Sequence, residues 1–495
     1  MATKRTTKAA AAPKKAAPKK APAKKPAKGG AKEIRCWQDD PGAPGCGTQP
    51  VQSRAPDLAK GRLPIAMTDM GPPPGLYDTG TAEFRYWTAA EALHRSATVW
   101  GSLLPDGVTW VETNGRRLPI GLDEGEDLNA YYDRNGLHFF HAISGGRVVY
   151  SGESPDVCSH ELGHAVLDAL RPELWDASFI EGGAFHESFG DMSSLLTGLQ
   201  MPSIREAVLT ETSGRLYRTS RLSRVAEQLG WAIRQIRPEV VHPDCLRNAV
   251  NSFFYKDPST LPPTAPASEL SSEPHSFSRV FTGAFLEAMA GMHVLQEDQG
   301  SAGLLQASLD AGALLVDAVV SSPLVPGYFS QIAAHMVEAD ANRFGGRYAG
   351  ALKTGFVKHG VLSLDSANAV ADSPAGAPVV RAQGLVAAKG PVTQPLVPLA
   401  GRRYGLGEDL LVSALTETKR FSVLGSGPDV RSVESPSHDQ AARSFVEDLF
   451  RRGKVEMPRP EASVRSAHRS HAVRRKPEGL VLVRTSVDCG FDVFR

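Results

Sequence analysis

The stretch Asp156-Val157-Cys158-Ser159-His160-Glu161-Leu162-Gly163-His164 opens a run, 156–170, whose apolar residues recur at helical spacing. Residues four apart on a helix share a face. His160 and His164 therefore present two imidazoles to one point, a spacing that lets both bind one zinc ion at about 2.0–2.1 Å. Glu161 lies one position beyond the first histidine. From there its carboxylate reaches a water that zinc would acidify to a pKa of about 7, without itself ligating the metal. Glu161 is the candidate general base. A motif of three fixed positions also arises by chance in a long chain, so its context has to decide.

A catalytic zinc needs a third protein ligand and an open position. Gly and His placed three and six residues after His164 would be one solution, but Leu167 and Leu170 stand there. The other solution is a carboxylate from a second helix. Gly182-Gly183-Ala184-Phe185-His186-Glu187-Ser188-Phe189-Gly190-Asp191 supplies it, with glycines ahead of a helix and Glu187 and Asp191 four apart. Glu187 completes the coordination of a single zinc per chain. Asp191 accepts the free N–H of a ligating histidine and fixes its tautomer. A helix, a loop and an antiparallel helix would bring Glu187 back beside His160 and His164.

With these motifs in order, residues 82–363 resemble the thermolysin-like zinc peptidases. Asn129-Ala130-Tyr131 is similar to the family's edge strand. Asp156 stands four residues ahead of the first zinc histidine, as it does there. Glu187-Ser188-Phe189-Gly190-Asp191 is close to the family's Glu helix. Leu246-Arg247 and His275 keep the family's separation. The stretches 339–346 and 356–361 look like its last helices. The resemblance implies that Asn129 and the backbone of Ala130 bind a peptide or protein substrate as an added strand. It implies that Arg247 holds a substrate carbonyl. It also implies that His275 hydrogen-bonds the oxyanion, with Glu269 or Glu273 keeping it charged. An apolar residue after the scissile bond would be preferred.

The chain departs from the family in three places. The segment 171–181 contains Trp175 and Phe179 but no tyrosine to assist the oxyanion. No dense acidic set follows Asp156, so calcium dependence is doubtful. Neither a signal peptide nor a long propeptide is visible.

The chain has 495 residues and a net charge of +1, which hides an asymmetry. Residues 1–32 carry ten Lys and one Arg with no acid, leaving 44 basic residues against 54 acidic ones in the remainder. The sequence predicts a disordered Lys/Ala/Pro arm over 1–33, either a solubilising tail or a nonspecific contact to nucleic acid or another polyanion. A Pro/Gly-rich linker is expected at 34–80, a peptidase domain at 81–364 and a separate C-terminal appendage at 365–495. No apolar run approaches the ~18 residues that span a bilayer, so a cytoplasmic location is expected unless export is signal-independent. Five scattered cysteines are too few and too odd for a disulfide framework. Cys36 and Cys46 are near enough to pair, but free thiols are favoured.

The expected fold is α+β: a small antiparallel sheet lobe, then a mainly helical lobe, with the zinc site between them. Strand-like stretches in the first lobe are Gly107–Glu112 and a hairpin of Leu128–Tyr132 and Leu137–Phe140 closed around Asp133-Arg134-Asn135-Gly136. The leading expectation of function is a zinc metalloendopeptidase. The alternative is a non-catalytic or latent protein on the same scaffold, binding partners through its arm and C-terminal region.

Overall fold

The computed structural model of the protein describes residues 33–42, 48–372, 394–427, 429, 431–458 and 469–489. Of the arm expected at 1–33, residues 1–32 lie outside them, as does Cys46, while Glu33 opens a strand. The architecture is α+β.

Helix α1 spans Ala82–Leu103, and Thr81 caps it by accepting from the Phe84 N–H. Helix α2, Pro155–Leu170, starts where Ser154 accepts from the Val157 N–H, with Pro155 in the first turn. Helix α3, Ile180–Gly198, is buried on every side, as a helix central to a large core must be. The two lie antiparallel and unusually close. A Cβ on Gly163 would fall 2.8 Å from the Ser193 side chain and 3.1 Å from Gly190 Cα. Ser193 and Ser194 donate hydroxyl bonds of 2.7 Å to the Ser159 and Asp156 carbonyls of α2. Ser193 Oγ also accepts from Trp100 Nε1 at 2.8 Å, which fixes α1 against the pair.

The remaining helices complete the helical lobe. They are α4 (Pro202–Thr212), α5 (Glu227–Arg234), α6 (Pro274–Val294), α7 (Ser301–Ser321), α8 (Tyr328–Phe344), α9 (Ala349–Lys358) and α10 (Leu364–Asp372). By length and composition α7 could cross a bilayer, contrary to the reading of the sequence. It is instead a core helix packed against α6 and α8. Asp310 and Asp317 break its apolar run without giving it a polar face.

In the order β18-β5-β6-β4-β3, a five-stranded sheet faces α2. Its strands are β3 (Ile65–Met67), β4 (Leu118–Gly121), β5 (Ala130–Tyr132), β6 (Leu137–Phe139) and β18 (Val487–Asp488). The expected hairpin forms as β5 and β6, with Arg134 in the left-handed region of its turn at φ 66°. Two expectations need correction. The sheet is mixed rather than antiparallel, because β3–β4 and β4–β6 run parallel. The strand expected at 107–112 is a loop leading into a 3-10 turn. Buried Asp168 of α2 ties the sheet to the helices, accepting from Tyr132 Oη at 2.8 Å and from Arg134 at 2.6 and 2.8 Å.

The stretch 34–80 is framework rather than linker. Strand β1 (Glu33–Cys36) pairs with β2 (Val51–Arg54) against α1, and β3 joins the sheet. The C-terminal region is not separate either. Its own five-stranded sheet, in the order Leu396–Leu399, Leu410–Ser413, β17 (Gly479–Arg484), His471–Lys476 and Val455–Glu456, packs on the helix His438–Arg451 through Phe445, Val446, Leu449, Leu410 and Leu482. Arg484, at the end of β17, donates to the Trp175 carbonyl at 2.8 Å. Arg171 forms an ion pair with Glu417 at 3.0 Å. The four described cysteines, Cys36, Cys158, Cys245 and Cys489, are buried free thiols.

Phe189 is fully buried on α3 and stacks on Trp100 at a centroid distance of 4.7 Å. Phe189→Ala leaves a cavity in the helix–helix core and should lower stability by about 3–5 kcal/mol. Urea unfolding followed by circular dichroism checks this as a drop in midpoint.

Candidate metal centre

On α2 the rings of His160 and His164 stand 4.6 Å apart at 88°. His160, Glu161 and His164 form a buried group whose candidate ligand atoms lie within 4.8 Å of one another, enough to hold a metal ion. The close approach of α3 adds Glu187. Its carboxylate oxygens lie 3.3 Å from His160 Nε2 and 3.9 Å from His164 Nε2. Gly190 makes this possible, since a Cβ there would meet the His160 ring at 2.6 Å.

The residues fit a cation. His160 Nε2, His164 Nε2, Glu187 Oε2 and both Glu161 oxygens are buried with no hydrogen-bond partner of good geometry among the described residues. Polar atoms left in this state are costly unless something charged meets them. Two nitrogens and a carboxylate converging on one point make a donor set that suits zinc among other divalent metals.

The supporting shell is charged and fully paired. His160 Nδ1 lies 3.1 Å from Asp191 Oδ1, which points Nε2 toward Glu187. Arg247 donates to Asp191 through Nε at 3.1 Å and Nη2 at 2.7 Å. Burial would raise the Asp191 carboxyl, but Arg247 and His160 hold it well below the usual carboxylate range. Burial opposes a charge on His160, yet Asp191 and Glu187 outweigh it and lift its pKa to about 9. His164 moves the other way, pushed well down by burial and then by the positive charges of His160, His186 and His275. Its imidazole is neutral, the form that ligates metal. Burial lifts Glu161 to about 8, although His160 pulls it down. A cation at the site would bring it lower.

His275 arrives in the first turn of α6. Its Nε2 lies 3.2 Å from Glu187 Oε2 and its Nδ1 2.6 Å from Glu273 Oε1. Burial works against its charge, but Glu187 and Glu273 raise its pKa to about 10. Of the two expected carboxylate partners, Glu273 is the one present. The backbone carbonyl of Glu269 binds Arg279 instead. A cavity of about 690 Å³ opens beside Arg247 and His275, walled also by Asn248, Val250, Phe253 and Arg279. At the start of β5, Asn129 Oδ1 accepts from the Ala130 N–H at 2.9 Å, and the Ala130 carbonyl accepts from the Cys489 N–H at 3.0 Å.

These contacts bring together His160, Glu161, His164, Glu187, Asp191, Arg247 and His275, from α2, α3, the short strand Arg247–Asn248 and α6, while Asn129 and Ala130 stand at the start of β5, where the Ala130 carbonyl accepts from the Cys489 N–H. Three others had no assigned role. His186, beside Glu187, is buried with neither ring nitrogen bonded, at a centroid distance of 5.8 Å from His164. Its adjacency to Glu187 was the available signal. Arg484 lies against Trp175 in the segment that lacks a tyrosine, with its charge felt by both His186 and Glu187. Cys489 lies beside Glu161. Nothing local in the sequence marks either of these two.

Asp156 sits among acids that the sequence scatters. Its carboxylate accepts from the Ala226 N–H at 3.0 Å, and Asp40, Asp39 and Glu227 lie close enough, with burial, to raise it well above its ordinary value. Arg221 compensates at 3.5 Å from Asp39.

No family model and no curated protein matches this chain.

Asp191→Asn removes the charge that orients His160 and leaves Arg247 underpaired. Metal affinity should fall about 10–100-fold, measured by competition titration with a chromophoric chelator, while the far-ultraviolet helical signal persists.

Proposed function

We propose that the chain is a zinc metalloendopeptidase. The observation that carries the reading is the buried convergence of His160, His164 and Glu187 on one point, with the Glu161 carboxylate beside it. The resemblance of residues 82–363 to the thermolysin-like peptidases supports the same chemistry.

Zinc bound by His160, His164 and Glu187 would supply Lewis acidity and an acidified water. The residues of the chain do the rest. Glu161 takes the proton of the attacking water and passes it to the leaving amine, a task suited to a carboxyl whose pKa burial has raised. His275, kept protonated by Glu273, donates from Nε2 to the oxygen that gains charge as the carbonyl is attacked. Arg247 engages Asp191 through Nε and Nη2, which leaves Nη1 to meet a substrate carbonyl. The edge of β5 from Asn129 to Ala130 aligns the peptide as an added strand. Arg484, held at Trp175, brings a positive charge to the side where the family has a tyrosine.

Glu161→Gln keeps the ligands and the side-chain shape but removes the base. It should retain one zinc per chain and lose at least about 100-fold in kcat on casein or a peptide substrate. His164→Ala should lose both metal and activity. Metal analysis and hydrolysis on the same samples check both, and full activity in Glu161→Gln would refute the mechanism.

A further inference from the structure

The edge of the mixed sheet is already taken. Strand β18 runs antiparallel to β5, with Val487 opposite Tyr132 and Asp488 opposite Tyr131. The Cys489 N–H then donates to the Ala130 carbonyl at 3.0 Å. These are the main-chain bonds that an extended peptide makes when it adds to a sheet edge. His275 Nε2 meets the Asp488 carbonyl oxygen at 2.5 Å, so the group expected to face a substrate oxygen faces this one. Val487 and Cys489 are only 3% and 2% exposed, so the segment is seated in the groove rather than draped over it. The Cys489 thiol lies beside the Glu161 carboxylate, near the charges of Arg247 and Glu187. Glu161 belongs to the same buried group as His160 and His164, whose Nε2 atoms have no hydrogen-bond partner among the described residues.

We propose that Val487–Cys489 is a built-in plug that lies along β5 in the place of a substrate and offers the Cys489 sulfur as a further ligand to the metal. This rests on the metal-centre reading above. Thiolate sulfur is a favoured zinc ligand. A sulfur bound to the metal would release its S–H proton to solvent. The plug therefore covers the peptide edge and the open metal position together. Beyond Arg484 only Thr485 and Ser486 separate it from β17. The segment can therefore leave while the five-stranded C-terminal sheet stays folded, a local opening that breaks few bonds.

The test uses the full chain loaded with Co(II), comparing wild type, Cys489→Ser and Val487→Pro. The wild type should show thiolate-to-cobalt charge-transfer absorption that Cys489→Ser lacks. If the plugged form outnumbers the open one by about ten to one, Cys489→Ser should hydrolyse a peptide about tenfold faster than wild type. Val487→Pro attacks the strand instead of the sulfur, because proline cannot donate to the ladder. It should also lose the band and gain activity, and one more thiol should react with a disulfide reagent. Bound cobalt with no thiolate band in the wild type, and no gain in Cys489→Ser, overturns the plug and leaves the metal centre standing. A band without any gain in hydrolysis makes Cys489 a ligand but not a plug, and overturns latency. If neither protein binds Co(II), the metal centre fails and the plug fails with it.

Discussion

Everything at the site depends on how closely α2 and α3 approach. Gly163 and Gly190 bring the two backbones to a distance that any side chain would forbid, and Gly190 leaves room for the ring of His160. Ser193 then fills the seam with hydrogen bonds, accepting from Trp100 and donating to the carbonyl of Ser159. Because α3 is buried along nearly its whole length, it cannot relax away from this contact. Glu187 consequently has one position, and that position is beside two imidazoles.

The same seam holds the ion network of His160, Asp191 and Arg247. Taking such charges out of water is unfavourable, and their attraction offsets it only where every group is paired in good geometry. Here Asp191 receives two bonds from Arg247 and lies against His160, so the network is satisfied. Its return is orientation rather than stability: the outer nitrogen of His160 is aimed at Glu187. The contrast with His164 shows the same logic. With no carboxylate on its inner nitrogen and positive neighbours around it, this imidazole stays neutral. Two histidines on the same helix face thus sit in opposite electrostatic settings.

The region beyond residue 395 changes the character of the site. It supplies Arg484 at Trp175 and the strand that lies on β5, so residues far along the chain wall the groove beside β5. A free sheet edge is a template for any extended peptide. In this structure the chain covers that edge itself, with Cys489 buried beside Glu161.

The sequence determined what one helical turn can determine. The spacing of His160, Glu161 and His164, the pair Glu187 and Asp191, and the hairpin around Asp133-Arg134-Asn135-Gly136 were legible because backbone period alone puts those residues on one face or in one turn. Arg247 and His275 came from resemblance rather than from period, and the structure does bring them to the point where α2 and α3 meet. The rest was decided only by tertiary structure. The parallel pairing of β3 with β4, the gathering of Asp39, Asp40 and Glu227 around Asp156, and the burial of the apolar helix α7 each join segments far apart in the chain. Cys489 stands farthest of all from Glu161 in sequence, and its neighbours carry no motif. Pairing of distant strands is set by which edge remains uncovered after the core has packed, and no local pattern of residues encodes that.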